Sequence, residues 1–318
     1  MPMQRIIETG LVRRLAPLLS LFILSAILAW LSPYFLTLEN IFAIGLQMSV
    51  VAIMALGQII VIIAGGIDLS AGSVLGLSGV VACILLRDGY SVIIAMLAAL
   101  LTGLACGWLN GFFITAGKLP PFIATLGMMG IARGAALIIT DGVPIFSLPA
   151  SFATLGGGRI FQLIPIPVVM TIMVGIFMHV MLGHTRLGRH TFAIGGNAEA
   201  ARLAGVHVNR VKQILYTLCG VASGLAGLIL ASRLNSGQPT AGNGYELDVI
   251  AACVIGGASL SGGEGTVGGA LIGALIMGVL RNGCNLLDIS AFWQQVAIGA
   301  IIIVAVFIDQ TRRSSNKL

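Results

Sequence analysis

Apolar runs of roughly 18 residues or more follow one another along nearly the whole chain, separated by short polar clusters. A run of that length crosses about 30 Å of hydrocarbon when it is helical. The runs lack the every-second-residue alternation of a membrane β-barrel. The pattern therefore predicts an all-α polytopic membrane protein with about ten transmembrane helices, some short or broken. The expected spans are residues 15–36, 41–64, 70–86, 91–115, 122–140, 165–182, 213–232, 245–258, 266–284 and 292–309. The eighth is too short for a complete crossing and reads as broken or re-entrant. The third begins among glycines and reads as a second broken element. No remaining segment is long enough for a separate soluble domain, so residues 1–318 read as one transmembrane domain.

Composition sharpens this picture. The chain is 58% hydrophobic and 9% charged, with a mean hydropathy of +1.05. Its 43 glycines suit close helix packing, and Gly269, Gly273, Ala274 and Gly278 show the small-xxx-small spacing of such contacts. The five cysteines form no CxxC pair, so neither a disulfide framework nor a metal site is expected. His179 and His184, five residues apart, do not share a helix face as a metal pair would. The basic N-terminus followed by the apolar stretch from Leu15 to Trp30 resembles a signal peptide. Its apolar core is too long and no cleavage site follows, so it reads as a first membrane helix.

Charge sets an orientation. With the N-terminus in the cytoplasm, the segments after even-numbered spans are cytoplasmic too. They then hold Arg5, Arg13, Arg14, Lys118, Arg186, Arg189, Arg202, Arg210, Lys212, Arg312, Arg313 and Lys317. That leaves only Arg87, Arg133, Arg159, Arg233 and Arg281 of the 17 basic residues elsewhere. Both termini are thus expected in the cytoplasm. The net charge of +6 follows from membrane orientation, and no nucleic-acid partner is needed to account for it.

The longest cytoplasmic segment is the loop 183–212, with five of the basic residues and three of the four histidines. Within it Asn197 is a candidate N-cap behind a flexible Gly195–Gly196 pair, residues 198–204 favour helix, and Gly205 can close the C-terminus. A lipid anchor needs a large apolar face. Ala200, Ala201, Leu203 and Ala204 make a small one, better suited to docking in a groove of a partner.

These residues also carry a resemblance. GRHTFAIGGNAEAARLAGV is similar to the coupling loop of ABC-transporter permeases for sugar import, of the ribose/xylose/arabinose type. AGGIDLSAGSVLGLSG (64–79), LPPFIATLGMMGIARGAAL (119–137), GYELDVIAACVIGGASLSGGEGTVGGALIGALI (244–276) and NGCNLL (282–287) resemble further segments of that family. The resemblance implies a permease in the bacterial inner membrane that works with a second permease copy, identical or related. It also implies a cytoplasmic ABC ATPase that uses ATP and Mg, and a periplasmic sugar-binding protein. No cofactor is bound by this chain. Gly195, Gly196, Asn197, Glu199, Ala200, Arg202, Leu203 and Gly205 would form the coupling surface. Two residues depart from the family pattern: Glu264 stands where relatives often carry a basic or small polar residue, and Ile298 where many carry lysine.

SLSGGEG (259–265) looks like an ABC ATPase signature, and the apolar run ending in Ile308–Asp309 looks like a Walker B strand. However, none of the three lysines is followed by Ser or Thr, so no phosphate-binding GxxxxGK[ST] loop exists here. ATP hydrolysis is expected from another chain, and this chain is not expected to be an enzyme.

Polar residues at membrane depth are the pathway candidates: Gln47, Gln58, Asp68, Ser70, Asn110, Thr125, Arg133 and Asn282. Arg133 can equally pair with a carboxylate such as Asp141 or snorkel, and Asp68 can cap the third span beside Ser70. GGIDLSAG (65–72) and GGASLSGG (256–263) agree at five of eight positions, a hint of internal repetition. Few charges lie at depth, which fits a neutral polar solute. A secondary transporter or channel acting alone is the rival reading. It would need a coupling-ion site and would have no use for the 195–205 helix.

Overall fold

Thr37, Ser91 and Thr266 each end a loop and start a helix. Their hydroxyls accept the otherwise orphaned N–H groups of Asn40, Ile94 and Gly269 at 3.4, 3.4 and 2.9 Å. The computed structural model describes residues 2–315. The helices in chain order are α1 (Pro2–Leu31), α2 (Leu38–Ile63), α3 (Ala71–Arg87), α4 (Val92–Thr115), α5 (Pro121–Thr140) and α6 (Ala150–Gly157). They continue with α7 (Ile166–His184), α8 (Arg186–Gly196), α9 (Ala198–Leu203), α10 (Val208–Leu234), α11 (Tyr245–Ile255), α12 (Val267–Leu286) and α13 (Ala291–Ser315). A hairpin of two-residue strands, β1 (Arg159–Ile160) and β2 (Ile164–Pro165), precedes α7 and is the one feature the all-α expectation missed.

The expected count of about ten crossings is met in part. Among the described residues six helices are long and apolar enough to span a bilayer: α2, α4, α5, α7, α10 and α12. Three further apolar stretches, 16–31, 71–87 and 291–304, are shorter. The range 245–258 becomes the 11-residue α11. Lys317, and the side chains of Arg5, Arg13, Arg14, Arg312 and Arg313, lie outside the described residues.

α2 is the axis of the fold. Its residues from Val50 to Ile63 are buried without interruption, so it is surrounded on all sides, as a helix apolar around its whole circumference must be. α10 lies against it and against α3 and α4. Between membrane helices there is little hydrophobic drive, and packing contacts decide association. The α4–α10 crossing is built on glycine. A Cβ at Gly103 would fall 2.3 Å from the carbonyl oxygen of Gly220, and one at Gly220 2.2 Å from that of Gly103. Gly107 and Gly224 extend the contact one turn either way. The motif at 269–278 behaves in the same way, with Gly269 against the Gly256 carbonyl and Gly273 against that of Ala252.

The short α11 is preceded by an irregular segment. Gly237 packs on Cys83 near the end of α3, and Gly242 packs on Gly72 at its start. The segment therefore runs antiparallel beside α3, as a series of turns in which Ala241 N–H donates to Gln238 O and Asn243 N–H to Thr240 O. Left-handed Asn235, Gly242 and Gly244 make the turns at its two ends.

Replacing Gly220 by Val is expected to separate α4 from α10 at an overpacking cost of about 1–3 kcal/mol. A lowered thermal midpoint in detergent checks this. An unchanged midpoint would remove the crossing from the list of determinants.

Candidate functional site

The loop 183–212 folds as two helices joined at Asn197. Asn197 accepts the N–H groups of Glu199 and Ala200 at 3.0 and 2.9 Å, a complete N-cap for α9. At the other end Gly205, at φ 87°, donates to Arg202 O, and Val206 donates to Ala201 O. This is a Schellman closure. A helix of six residues is too short to persist on its own, so these caps hold it. Ala201 turns inward, while Glu199, Ala200, Arg202 and Leu203 face outward, Leu203 at 80% exposure. Glu199 and Arg202 form an exposed ion pair at 2.6 Å, whose contribution to stability is small. The hydrogen bond and charge of Glu199 raise Arg202 above its ordinary range.

The expected flexible glycine pair is corrected. α8 runs through Gly195 and Gly196. Gly196 faces open space, but a Cβ on Gly195 would fall 1.7 Å from Ile63 O and 2.4 Å from Gly263 N. Gly263 itself donates to Ile63 O at 2.8 Å. The outward helix α9 is thus seated, through Gly195, on the last residue of α2 and on the loop after α11. The two similar glycine stretches meet here, with Gly262 packed on Gly65.

Five of the eight pathway candidates form one buried cluster where the chain breaks between α2 and α3. Asp68 Oδ1 accepts both the N–H and the hydroxyl of Ser70, at 2.8 and 2.6 Å. Asn110 of α4 donates to the Ser70 hydroxyl at 2.9 Å. Gln58, with its amide turned so that both bonds form, spans the backbone N–H and carbonyl of Asp68 at 3.0 and 3.3 Å. Thr125 of α5 donates to Pro121 O at 2.9 Å and to Ile67 O at 3.3 Å. Asp68 does not cap α3 directly; it fixes Ser70, the residue at the N-cap position. All five are 2% exposed or less. The arrangement is a pinned break in which irregular backbone at depth finds its partners inside the protein. Asn282 stands elsewhere, exchanging two hydrogen bonds with Asn40 at 2.7 and 3.0 Å. Gln47 is half-buried on α2.

Arg133 is not paired with Asp141, which sits in left-handed conformation at the C-terminus of α5. Its guanidinium donates to the carbonyls of Pro239 and Ala241, at 2.5 and 2.9 Å, in the turn-rich segment before α11. Turns leave some carbonyls without a backbone donor, and Arg133 supplies donors for these two. Sequence reasoning missed the ion pair beside it: Arg281 of α12 meets Asp248 of α11 at 2.5 Å, with Arg281 also over the Tyr245 ring. The signal was present, since a charge at depth needs a countercharge. Of the two departures from the family pattern, Ile298 is buried beside Arg281 and Cys284, where its apolar side chain packs. Glu264 is half-buried in the glycine loop. The His179 and His184 rings approach to 6.0 Å in spite of their spacing. Among the described residues no group of three or more His, Cys, Asp or Glu is placed to hold a metal ion.

Comparison with known proteins gives one consistent result. A family model described as "Branched-chain amino acid transport system / permease component" matches residues 40–306. The chain is 46% identical over 300 residues to the ribose import permease protein of Escherichia coli (strain K12), covering 93% of each chain. It is 44% identical over 310 residues to that of Bacillus subtilis (strain 168), covering 97% of this chain and 96% of the relative. It is 43% identical over 297 residues to the L-arabinose transport system permease protein of Escherichia coli (strain K12), covering 93% and 89%. No solved structure matches.

Substituting Asp248 by Ala is expected to leave Arg281 without its partner and to cost about 3–5 kcal/mol. Folded yield from membranes checks this, with Asp248→Ala/Arg281→Met expected to recover much of the loss. Equal yields for the wild-type and single-variant proteins would deny the pair a structural role. Asn197→Ala is expected to release α9 at about 1 kcal/mol, read as faster amide exchange confined to 198–205.

Proposed function

The chain belongs to the permease family of ABC importers that its matched model describes, and on that premise we propose that it carries a monosaccharide or related polyol across the bacterial inner membrane into the cytoplasm. It is a multi-pass membrane subunit and not an enzyme; ATP hydrolysis belongs to a separate ATPase. The substrate class rests on the relatives, named as ribose and arabinose permeases at 43–46% identity over nearly the whole chain. A neutral solute agrees with the few charges at depth, most of which are already bound to protein partners.

The observation that carries the coupling role is α9 itself. It is a doubly capped helix that presents Glu199, Ala200, Arg202 and Leu203 outward and rests through Gly195 on α2 and the 256–265 loop. In this reading the ABC ATPase, using ATP and Mg, seats on that helix in the cytoplasm. A periplasmic binding protein delivers the sugar at the opposite end, and a second permease copy, identical or related, completes the passage. Both termini lie in the cytoplasm, in keeping with the distribution of lysine and arginine.

The test is to tag the chain, extract it gently from its native membrane and identify what co-purifies. An ATPase is expected with the wild-type chain. Gly196→Pro and Glu199→Arg are expected to weaken that association and to reduce ATP-driven uptake by about five-fold or more, while the chain stays in the membrane. A chain that purifies alone and moves solute in vesicles without ATP would overturn the reading and leave 183–212 as a lipid anchor.

A further inference from the structure

The segment between α10 and α11 poses a solvation problem that none of the features above resolves. It is irregular backbone running beside α3 inside the bundle, yet Thr240 and Asn243 on it are exposed. Arg133 and Glu246 next to it are half-buried. Glu246 is near enough to Arg133 for their charges to interact, and its Oε2 lies 2.4 Å from where a Cβ on Gly72 would stand. Lipid tails do not tolerate exposed irregular backbone, and a side-chain carboxylate or amide facing them is expensive. The surface that carries these groups must therefore face water.

α5 points the same way. A Cβ on Gly127, Gly130 or Gly134 would meet nothing within 4 Å. At the α4–α10 crossing the glycines are filled by a neighbour's backbone; here the equivalent space stands open beside Arg133. An open helix surface thus lies next to a mixed set of donors and acceptors: a guanidinium, a hydroxyl, a carboxamide and a carboxylate. That set suits vicinal hydroxyls, which donate and accept at once, while Leu247, 46% exposed, offers apolar contact one turn into α11.

We propose that Arg133, Thr240, Asn243 and Glu246 form a solute-contact station inside the membrane, which takes the hydroxyls of a neutral sugar or polyol as it passes. The station rests on the sugar-importer reading and adds to it a place where this chain itself touches the solute. Arg133 holds the segment in shape through Pro239 and Ala241, and Thr240, Asn243 and Glu246 meet the sugar. The pinned cluster at Asp68 is a structural element on this view, with its five side chains closed off from the passage.

The experiment uses cysteine accessibility in the complete importer reconstituted in vesicles. Four native cysteines are buried, and Cys284→Ala removes the half-buried fifth. In that background Thr240→Cys, Asn243→Cys and Gly130→Cys are treated with a membrane-impermeant charged thiosulfonate, with and without saturating D-ribose or L-arabinose. All three are expected to react, and one of the sugars is expected to slow the reaction at 240 and 243 several-fold. Glu246→Gln is expected to raise the KM for uptake while ATPase activity and assembly are retained. If an importer with intact ATP-driven uptake leaves all three cysteines unreactive, or reactive and indifferent to both sugars, the station is refuted while the importer reading stands. Loss of ATP dependence in the Cys284→Ala parent would instead strike the importer reading. Gly130→Cys adds a side chain to open space, so it keeps the water-facing claim testable if a substitution in the segment before α11 impairs folding.

Discussion

The two hydrogen bonds from Arg133 to the carbonyls of Pro239 and Ala241 tie down the irregular stretch of this chain between α10 and α11. Helices satisfy their own backbone, and for that reason they dominate membrane proteins. Where this chain abandons helix between Leu234 and Tyr245, its carbonyls and N–H groups need other partners. Local turns such as Ala241 N–H to Gln238 O supply some, the bridge between Ile145 and Gly237 takes care of one end, and the arginine takes two carbonyls in the middle. The position of α11, and hence of the Asp248–Arg281 pair and the glycine loop beyond it, follows from that anchorage.

The second economy of the fold is the use of absent side chains. At Gly103, Gly107, Gly220 and Gly224 two helices close to backbone contact. At Gly195 the same device joins a surface helix to the end of α2 and to the 256–265 loop. At Gly127 and Gly130 the space is left empty. One residue type therefore serves as fastener in the interior and as clearance along the open face of α5, and only the neighbours distinguish the two uses.

This explains how much could be read from the sequence. The long apolar runs announced α2, α4, α5, α7, α10 and α12, because length and hydropathy alone define a crossing. Asn197 and Gly205 announced both ends of α9, because capping is local chemistry. The gathering of Gln58, Asp68, Ser70, Asn110 and Thr125 was visible only as a set of polar residues at depth, since the contacts join four elements. The partners of Arg133 were left open between a carboxylate and the interface: sequence displays charges but hides backbone carbonyls that a broken segment leaves bare. Asp248 and Arg281 were overlooked as a pair because 33 residues and a loop separate them. Glycines that fill and glycines that stand open are identical letters, so the open glycine positions of α5 could not be told apart from the sequence.

The contact at Gly195 has a mechanical meaning. With a carbonyl oxygen where the first carbon of any side chain would stand, nothing compressible lies between α8 and the end of α2. Soft side chains in such a joint would absorb a small displacement by changing rotamer. A joint of bare backbone has no such play. A push of an ångström on the outward face of α9 must move Ile63 and Gly263 by a comparable distance, and with them the two glycine-rich breaks of the bundle. The linkage works like a rod without backlash, and its stiffness is set by the missing methyl group.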